Sequence, residues 1–222
     1  MTYYHKKLKE IKNLGCVDFI KIKHNGKNAI LKLVDESDET VSLLYNWRKK
    51  YRNMFGTDFK MSEEKTRKWI RKGVLENPEK IVFMIYVDNK KIGIISTAAY
   101  DKKTNSAMLD TMIKDPTYNL PGLMTVVEKV YLRWMFEGLK LSKITGFLFS
   151  DNEKMMNIHK KCGWITIDVV PVEQKKTKDG IKWEEKKSES NNKPVERYFN
   201  IIELTKENLM KNFGDIDFKI LV

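Results

Sequence analysis

The sequence predicts an α/β (α+β) fold, because strand patterns joined by tight turns alternate with amphipathic helix patterns. Two hairpin patterns lie in the first half of the chain, at 18–34 and at 81–100. A third pattern, at 109–164, predicts a strand, a glycine-containing turn, a helix, a second strand and a second helix. The chain is organised around this third pattern.

Composition and length fit one globular domain. The chain has 222 residues, of which 41% are hydrophobic and 11% aromatic. We expect a single domain over 1–222, with extensions at 1–27 and 205–222 around a core at 28–204. No apolar run approaches the roughly 20 residues that span a bilayer, and the N-terminus lacks the apolar centre of a secretory signal. Two cysteines make no disulfide framework, so we expect a cytoplasmic protein that does not enter a membrane.

The net charge of +12 raises nucleic-acid binding as an alternative function. The excess consists mostly of lysines spread along the whole chain, which favours a solvated surface over a nucleic-acid interface. A basic surface also suits small molecules that carry phosphate.

The N-terminal third predicts a hairpin followed by two helices. Residues 1–14 form a short basic helix or a loose arm. Alternating side chains flank Asn25-Gly26, a pair typical of a type I′ turn, so 18–34 is a hairpin whose second strand begins the core sheet. Ser37 or Asp38 caps the next helix, and Ser62 opens another, which ends near Asn77-Pro78.

The C-terminal third predicts two more strands, at 165–174 and 195–204, separated by a very polar segment at 175–193. That segment is either a long twisted hairpin tip turning at 178–180 or a disordered loop. On composition alone it is expected to be exposed and outside the catalytic cleft. A capped helix at 205–212 and an edge strand near the C-terminus complete the chain.

The order of parts in 109–164 resembles the core of the GNAT superfamily of acyl-CoA-dependent N-acyltransferases. The most specific match is NEKMMNIHKKCGW: an asparagine, then a helix with His159 at the family's Tyr/His position, Lys161 at its lysine, and Gly163-Trp164 at its closing Gly-aromatic pair. The resemblance covers about 28–204. It implies a mixed, mostly antiparallel sheet of six or seven strands with helices on both faces, to which the hairpin at 18–34 is an N-terminal extension.

The resemblance implies acetyl-CoA or another short acyl-CoA as cofactor. A glycine turn before a helix N-terminus suits a phosphate, since the exposed N–H groups and the helix dipole favour an anion. Asn119 stands where the family has Gln or Arg, and Met124 where it has Gly or Ala. The residues implied for the pyrophosphate are Asn119, Leu120, Pro121, Gly122, Leu123 and Met124; those for the pantetheine are Met112, Ile113, Lys114 and Asn152.

Two residues are candidates for proton transfer. By resemblance His159 points at the CoA sulfur and protonates the departing thiolate; the alternative is a surface or packing histidine. Asp110, on the predicted fourth strand, is the candidate base; the alternative is a solvated strand residue. Cys162 occupies an apolar position and is expected to pack in the core. The three histidines lie far apart in the sequence, so no metal site is predicted.

The segments NWRKKYRNMF and SEEKTRKWI resemble the opening helices of one GNAT subgroup, which includes ribosomal-protein N-terminal acetyltransferases and N-acyltransferases of nucleotide-linked amino sugars. In that subgroup these helices shape the acceptor side of the cleft, that is, the side that binds the amine. Trp47, Arg48 and Tyr51 are therefore candidate acceptor contacts; plain core packing is the alternative for the two aromatic residues. We therefore expect an N-acyltransferase acting on a small primary amine, preferably a nucleotide-linked amino sugar. A protein N-terminal or lysine acetyltransferase and a non-catalytic CoA-binding module are the alternatives, and the oligomeric state, a homodimer included, stays open.

Overall fold

The computed structural model describes residues 1–186 and 194–221. Six α-helices and eleven strands lie in these ranges. The helices are α1 (Tyr3–Leu14), α2 (Asp38–Lys50), α3 (Glu63–Lys68), α4 (Leu123–Gly138), α5 (Glu153–Cys162) and α6 (Lys206–Phe213). The strands are β1 (Asp18–His24), β2 (Lys27–Leu33), β3 (Thr57–Phe59), β4 (Ile81–Val87), β5 (Lys90–Asp101), β6 (Ser106–Lys114), β7 (Lys143–Phe149), β8 (Ile165–Thr177), β9 (Gly180–Glu185), β10 (Arg197–Leu204) and β11 (Phe218–Ile220).

The strands form one sheet in the order β11-β1-β2-β4-β5-β6-β7-β10-β8-β9-β3. Its one parallel pair among the described residues is β6–β7, and every other neighbouring pair is antiparallel. The predicted mixed, mostly antiparallel sheet is thereby confirmed. The seven expected core strands are β2, β4, β5, β6, β7, β8 and β10; the other four are β1, β3, β9 and β11.

The N-terminal extension folds as predicted. Asn25 and Gly26 have φ of 48° and 74°, the two positive values that a type I′ turn requires. Residues 1–14 are helical, and Tyr4 and Leu8 of α1 are buried. The expected C-terminal edge strand is β11, which pairs with β1 at the border of the sheet.

Helices cover both faces of the sheet. On one face, α1, α4 and α6 pack against β1, β2 and β4 in a large core that includes Phe83, Tyr131 and Trp134. On the other face, α2 and the helical turn after α3 pack against β4 and β5 in a smaller core. The helix predicted from Ser62 begins with that serine as its cap, but it changes to a π-helical turn over Trp69–Leu75.

The middle of the sheet is split. The β6–β7 pairing ends at Met108 and Thr145, so the rest of β6 has no ladder partner on that side. The ladder between β5 and β6 pairs Thr97 with Leu109 and Ser96 with Thr111, which leaves Asp110 as the extra residue of a β-bulge. Because a bulge bends its strand, it helps β6 turn away from β7 at this point.

The polar segment predicted at 175–193 forms a hairpin as far as the structure describes it. Strand β8 runs to Thr177 and β9 returns from Gly180, with the turn where the sequence predicts one. Residues 187–193 lie outside the described residues. The hairpin is exposed, but β9 pairs with β3, in the loop between α2 and α3. That the segment lies outside the catalytic cleft stays a prediction.

Candidate active site

The split between β6 and β7 leaves one backbone edge open. Beyond Met108 the β7-facing edge of β6 keeps unpaired N–H and C=O groups, which can receive an extended ligand as an added strand. Met112 and Ile113 are 9% and 7% exposed, so their side chains pack in the core while their backbone faces the split. Lys114 donates to the carbonyl of Tyr118 at the end of this strand.

The turn after β6 ends in an uncapped helix N-terminus. Gly122 has φ of 78° and precedes α4, and no side chain accepts from the first amides of that helix. Leu123 and Met124 are buried in the core, so the bulk of Met124 points away from the turn. The pKa of Lys114 is lowered by burial and then by the nearby Lys154. The uncapped helix N-terminus favours an anion. Lys114 and Lys154 repel each other near the end of β6, and Asp115 offsets part of that repulsion.

Helix α5 places His159 inside the protein. Asn152 caps this helix by accepting from the N–H of Met155 at 3.3 Å, and Gly163, with φ of 94°, ends it. His159 is 6% exposed, and its Nδ1 lies 2.7 Å from Oε1 of Glu128. The histidine therefore neither sits at the surface nor packs among apolar groups alone.

Glu128 is the residue of this site that the sequence analysis missed. It lies on α4 and is completely buried, and its Oε1 also accepts from the indole N–H of Trp164 at 2.8 Å. The signal was present in TVVEKVYLRWMF, since an acidic residue interrupts the apolar face of the helix. Only the fold shows that His159 and Trp164 surround it.

Asp110, in the bulge of β6, is engaged through one of its two carboxylate oxygens. Its Oδ2 lies 2.5 Å from Nζ of Lys80 and accepts from the hydroxyls of Ser96 at 3.0 Å and Thr111 at 3.1 Å. The side chains of Asp110 and Lys80 are 19% and 16% exposed. If Asp110 is the base, its carboxylate must accept a proton while it is paired with Lys80.

The three candidate acceptor contacts have different surroundings. Trp47 is 3% exposed and belongs to the smaller core, as the packing alternative requires. Tyr51 is half-buried against the same core. The guanidinium of Arg48 lies 3.3 Å from the ring centre of Phe55 and donates to the carbonyl oxygen of Thr57 at 2.7 Å. Burial lowers the pKa of Arg48 to about 10, so it stays charged at neutral pH.

The pair β3–β9 bridges the split in the sheet. In the sheet, β9 lies on the β7 side of the split. In the chain, β3 comes after α2, and α2 packs on β4 and β5 on the other side of the split. The amide of Trp183 donates to the carbonyl oxygen of Gly56 at 2.8 Å. Arg197 of β10 adds a second link, because it donates to the carbonyl oxygen of Asn53 at 2.9 Å and lies 2.5 Å from Asp151.

The segment that supplies this bridge is basic. Residues 48–80 contain eleven Lys and Arg against five Asp and Glu, a net charge of +6. Arg48 has no carboxylate partner within 4 Å among the described residues. The bridged side of the split therefore carries a half-buried cation without a direct ion pair, on which the carboxylates of Asp58 and Asp110 act from a longer distance.

A family model described as "Acetyltransferase (GNAT) domain" matches residues 29–165. The chain therefore belongs to the GNAT family and is a GNAT-type N-acyltransferase. Acetyl-CoA as cosubstrate is consistent with this membership. The comparison with curated protein sequences gives no match.

Solved structures share the fold. The spermidine N-acetyltransferase from Vibrio cholerae, in complex with CoA and spermine, has 13% identity and a TM-score of 0.65, with 82% of this chain and 98% of that chain covered. A putative acetyltransferase from T. thermophilus has 15% identity and a TM-score of 0.61, with 87% and 93% covered.

Within the described residues no group of three or more His, Cys, Asp or Glu could hold a metal ion. Cys162 is buried, and burial raises the pKa of its thiol, as expected for a packing residue. No helix in the described ranges has the length and apolar character to cross a membrane.

Proposed function

We propose that the chain transfers an acetyl or short acyl group from acyl-CoA directly to the primary amine of a small, negatively charged acceptor. A nucleotide-linked amino sugar is the preferred acceptor. The observation that carries this proposal is the β3–β9 bridge. A bridged acceptor side suits a small molecule, whereas a polypeptide substrate needs an open groove.

The charge of the bridge supports an anionic acceptor. A half-buried guanidinium without a carboxylate partner favours phosphate or carboxylate, which it can bind through two parallel hydrogen bonds. A polyamine is the second candidate, because a solved structure with this fold is a spermidine N-acetyltransferase. The net charge of +6 over 48–80 opposes a polycation at this side of the split.

Acyl-CoA would bind from the other end of the split. The pantetheine pairs with the open edge of β6 at Met112, Ile113 and Lys114, with Asn152 nearby on α5. The pyrophosphate occupies the turn from Asn119 to Met124, where the N–H groups of α4 and the ammonium groups of Lys114 and Lys154 favour its charge.

The reaction needs a nucleophilic amine and a protonated leaving group. The neutral amine attacks the thioester carbon, and the tetrahedral intermediate then expels the thiolate. His159 gives its proton to the sulfur, and the proton that the amine loses passes to Asp110 or to water. Asp110 is held by Lys80 in the free protein, so the acceptor ammonium must compete with Lys80 for this carboxylate.

The test is release of free thiol from several acyl-CoAs against matched amines. The panel contains a nucleotide-linked amino sugar, the same sugar without its nucleotide, spermidine and a peptide with a free N-terminus. We expect the nucleotide-linked sugar to give the highest kcat/KM. Preference for spermidine or for the peptide would overturn the anionic acceptor, and CoA binding by calorimetry without thiol release from any amine would indicate a non-catalytic module.

A further inference from the structure

Glu128 is a buried carboxylate that the proposed reaction does not yet use. Its residue exposure is 0%, and its Oε2 makes no hydrogen bond within the described part of the chain. Its Oε1 lies 2.7 Å from Nδ1 of His159 and 2.8 Å from Nε1 of Trp164. Burial of a carboxylate is costly unless a positive charge and hydrogen bonds compensate for it.

The two contacts of Oε1 determine where His159 carries its proton. An indole N–H can only donate, and an ionised carboxylate oxygen can only accept. With Glu128 as a carboxylate, the imidazole Nδ1 that faces the same oxygen is therefore the donor. Nε2 is consequently the nitrogen that gains and loses a proton. It has no hydrogen-bond partner among the described residues and is not among their buried unpaired polar atoms, so it is not fully buried.

We propose that Glu128 is a positioning residue for acyl transfer, which holds His159 with Nδ1–H toward α4 and the acidic proton on Nε2. The inference rests on the proposed function, because it acts through His159 as the acid. When the C–S bond breaks, its electron pair goes to sulfur, and sulfur takes the Nε2 proton. The neutral histidine keeps its Nδ1–H bond to Glu128 and recovers a proton from solvent, while the amine's proton leaves separately.

Three other groups lie close to Glu128: Cys162, Lys129 and Trp164. Cys162 of α5 also interacts with Glu128, but burial and that carboxylate raise the pKa of its thiol, so it stays neutral. Lys129 of α4 donates to the carbonyl oxygen of Phe213 at 3.3 Å. Trp164 supplies a hydrogen bond without charge. In the proposed step the acid that donates from Nε2 is an imidazolium whose Nδ1–H is held by the carboxylate of Glu128.

The tautomer can be read directly, because the chain has only three histidines. Proton–nitrogen correlation spectra of the imidazole rings, assigned with His159→Phe, should show the Nδ1–H tautomer for neutral His159 in the unmodified protein. Glu128→Gln should lose this fixed tautomer, because an amide can donate to Nδ1 as well as accept from it. Its kcat should fall roughly tenfold or more, with KM for acyl-CoA nearly unchanged.

The matched control is Glu137→Gln, on the same helix, where the carboxylate pairs with Arg133 at 3.1 Å. It should keep both the His159 tautomer and kcat. An Nε2–H tautomer in the unmodified protein would overturn the inference without any variant. Full kcat in folded Glu128→Gln would also overturn it. The same holds if Glu128→Gln loses kcat only in proportion to a lower melting temperature and keeps the His159 tautomer unchanged. Full turnover in His159→Phe would instead remove the proposed acid itself, and the inference with it.

Discussion

The imidazole ring of His24 lies 3.3 Å from the point where a side chain on Gly122 would begin. Its Nε2 also lies 2.7 Å from the carbonyl oxygen of the neighbouring Pro121. The tip of the N-terminal hairpin therefore rests on the turn that is proposed to hold the CoA pyrophosphate. Any side chain at Gly122 would contact this ring, and the substituted residue would have to adopt an unfavourable positive φ.

Gly122→Val should weaken CoA binding by about an order of magnitude. The valine side chain would block close approach of the pyrophosphate to the backbone and displace His24. Isothermal titration calorimetry with CoA measures the change in affinity.

Gly214→Val is the matched control for the first prediction. Gly214 has a similar φ of 73°, but a Cβ there meets nothing within 4 Å. Its ψ of −173° lies in a region that is almost restricted to glycine, so the control carries at least as much backbone strain, away from the turn, and should bind CoA normally. Unchanged affinity in Gly122→Val, or an equal loss in both variants, would contradict the pyrophosphate site.

Gly180→Ala should open the acceptor side. A Cβ at Gly180 would lie 2.0 Å from the carbonyl oxygen of Asp58, so β3 and β9 must separate. We expect KM for the small acceptor to rise severalfold and limited proteolysis near 178–186 to become faster. Gly56→Ala is the control, because its Cβ meets only ring atoms at 3.6 Å or more. If both variants keep the wild-type KM and digestion pattern, the bridge does not shape the acceptor side.

Local patterns were sufficient for most of the fold. The turn at Asn25-Gly26, the caps at Ser37 and Ser62, and the alternating strands all depend on neighbouring residues, and each is present as predicted. The start of helix α4 at Leu123 is equally local, because Gly122 before it adopts the left-handed conformation.

Contacts distant in sequence could not be predicted. Strand β3 has three residues, too few for an alternating pattern, and it forms only because β9 lies beside it. The pairing of Glu128 with His159 joins residues 31 positions apart. The ion pair of Asp110 with Lys80 likewise depends on the bulge that turns Asp110 toward β4 and β5. The bridge between β3 and β9 was not predicted.

Arg48→Lys should raise KM for a phosphate-bearing acceptor roughly tenfold and leave KM for an uncharged amine nearly unchanged. Lysine keeps the charge but loses the planar fork that can hold a phosphate through two hydrogen bonds. Steady-state rates with both acceptors measure the difference. Arg71→Lys is the control, because Arg71 pairs with Glu36 at 2.9 Å. An equal rise for both acceptors in Arg48→Lys would mean that Arg48 only holds β3 in place.

His159→Phe should lose roughly a hundredfold in kcat, a typical contribution of a general acid, because phenylalanine has no proton to give. CoA affinity should change much less, since the lost interaction belongs to the transition state. A phenol can also donate a proton, so His159→Tyr should keep substantially more activity than the Phe variant.

Both His159 variants leave Glu128 buried without its partner, so circular dichroism and thermal melting must accompany the rates. If His159 only fills space, Phe should be tolerated and Tyr, with its additional hydroxyl, should be no better. If His159 is the acid, the two variants have similar melting temperatures but different kcat, with Tyr above Phe. Wild-type kcat in a folded Phe variant would leave His159 as a packing residue and assign protonation of the thiolate to water or to the acceptor.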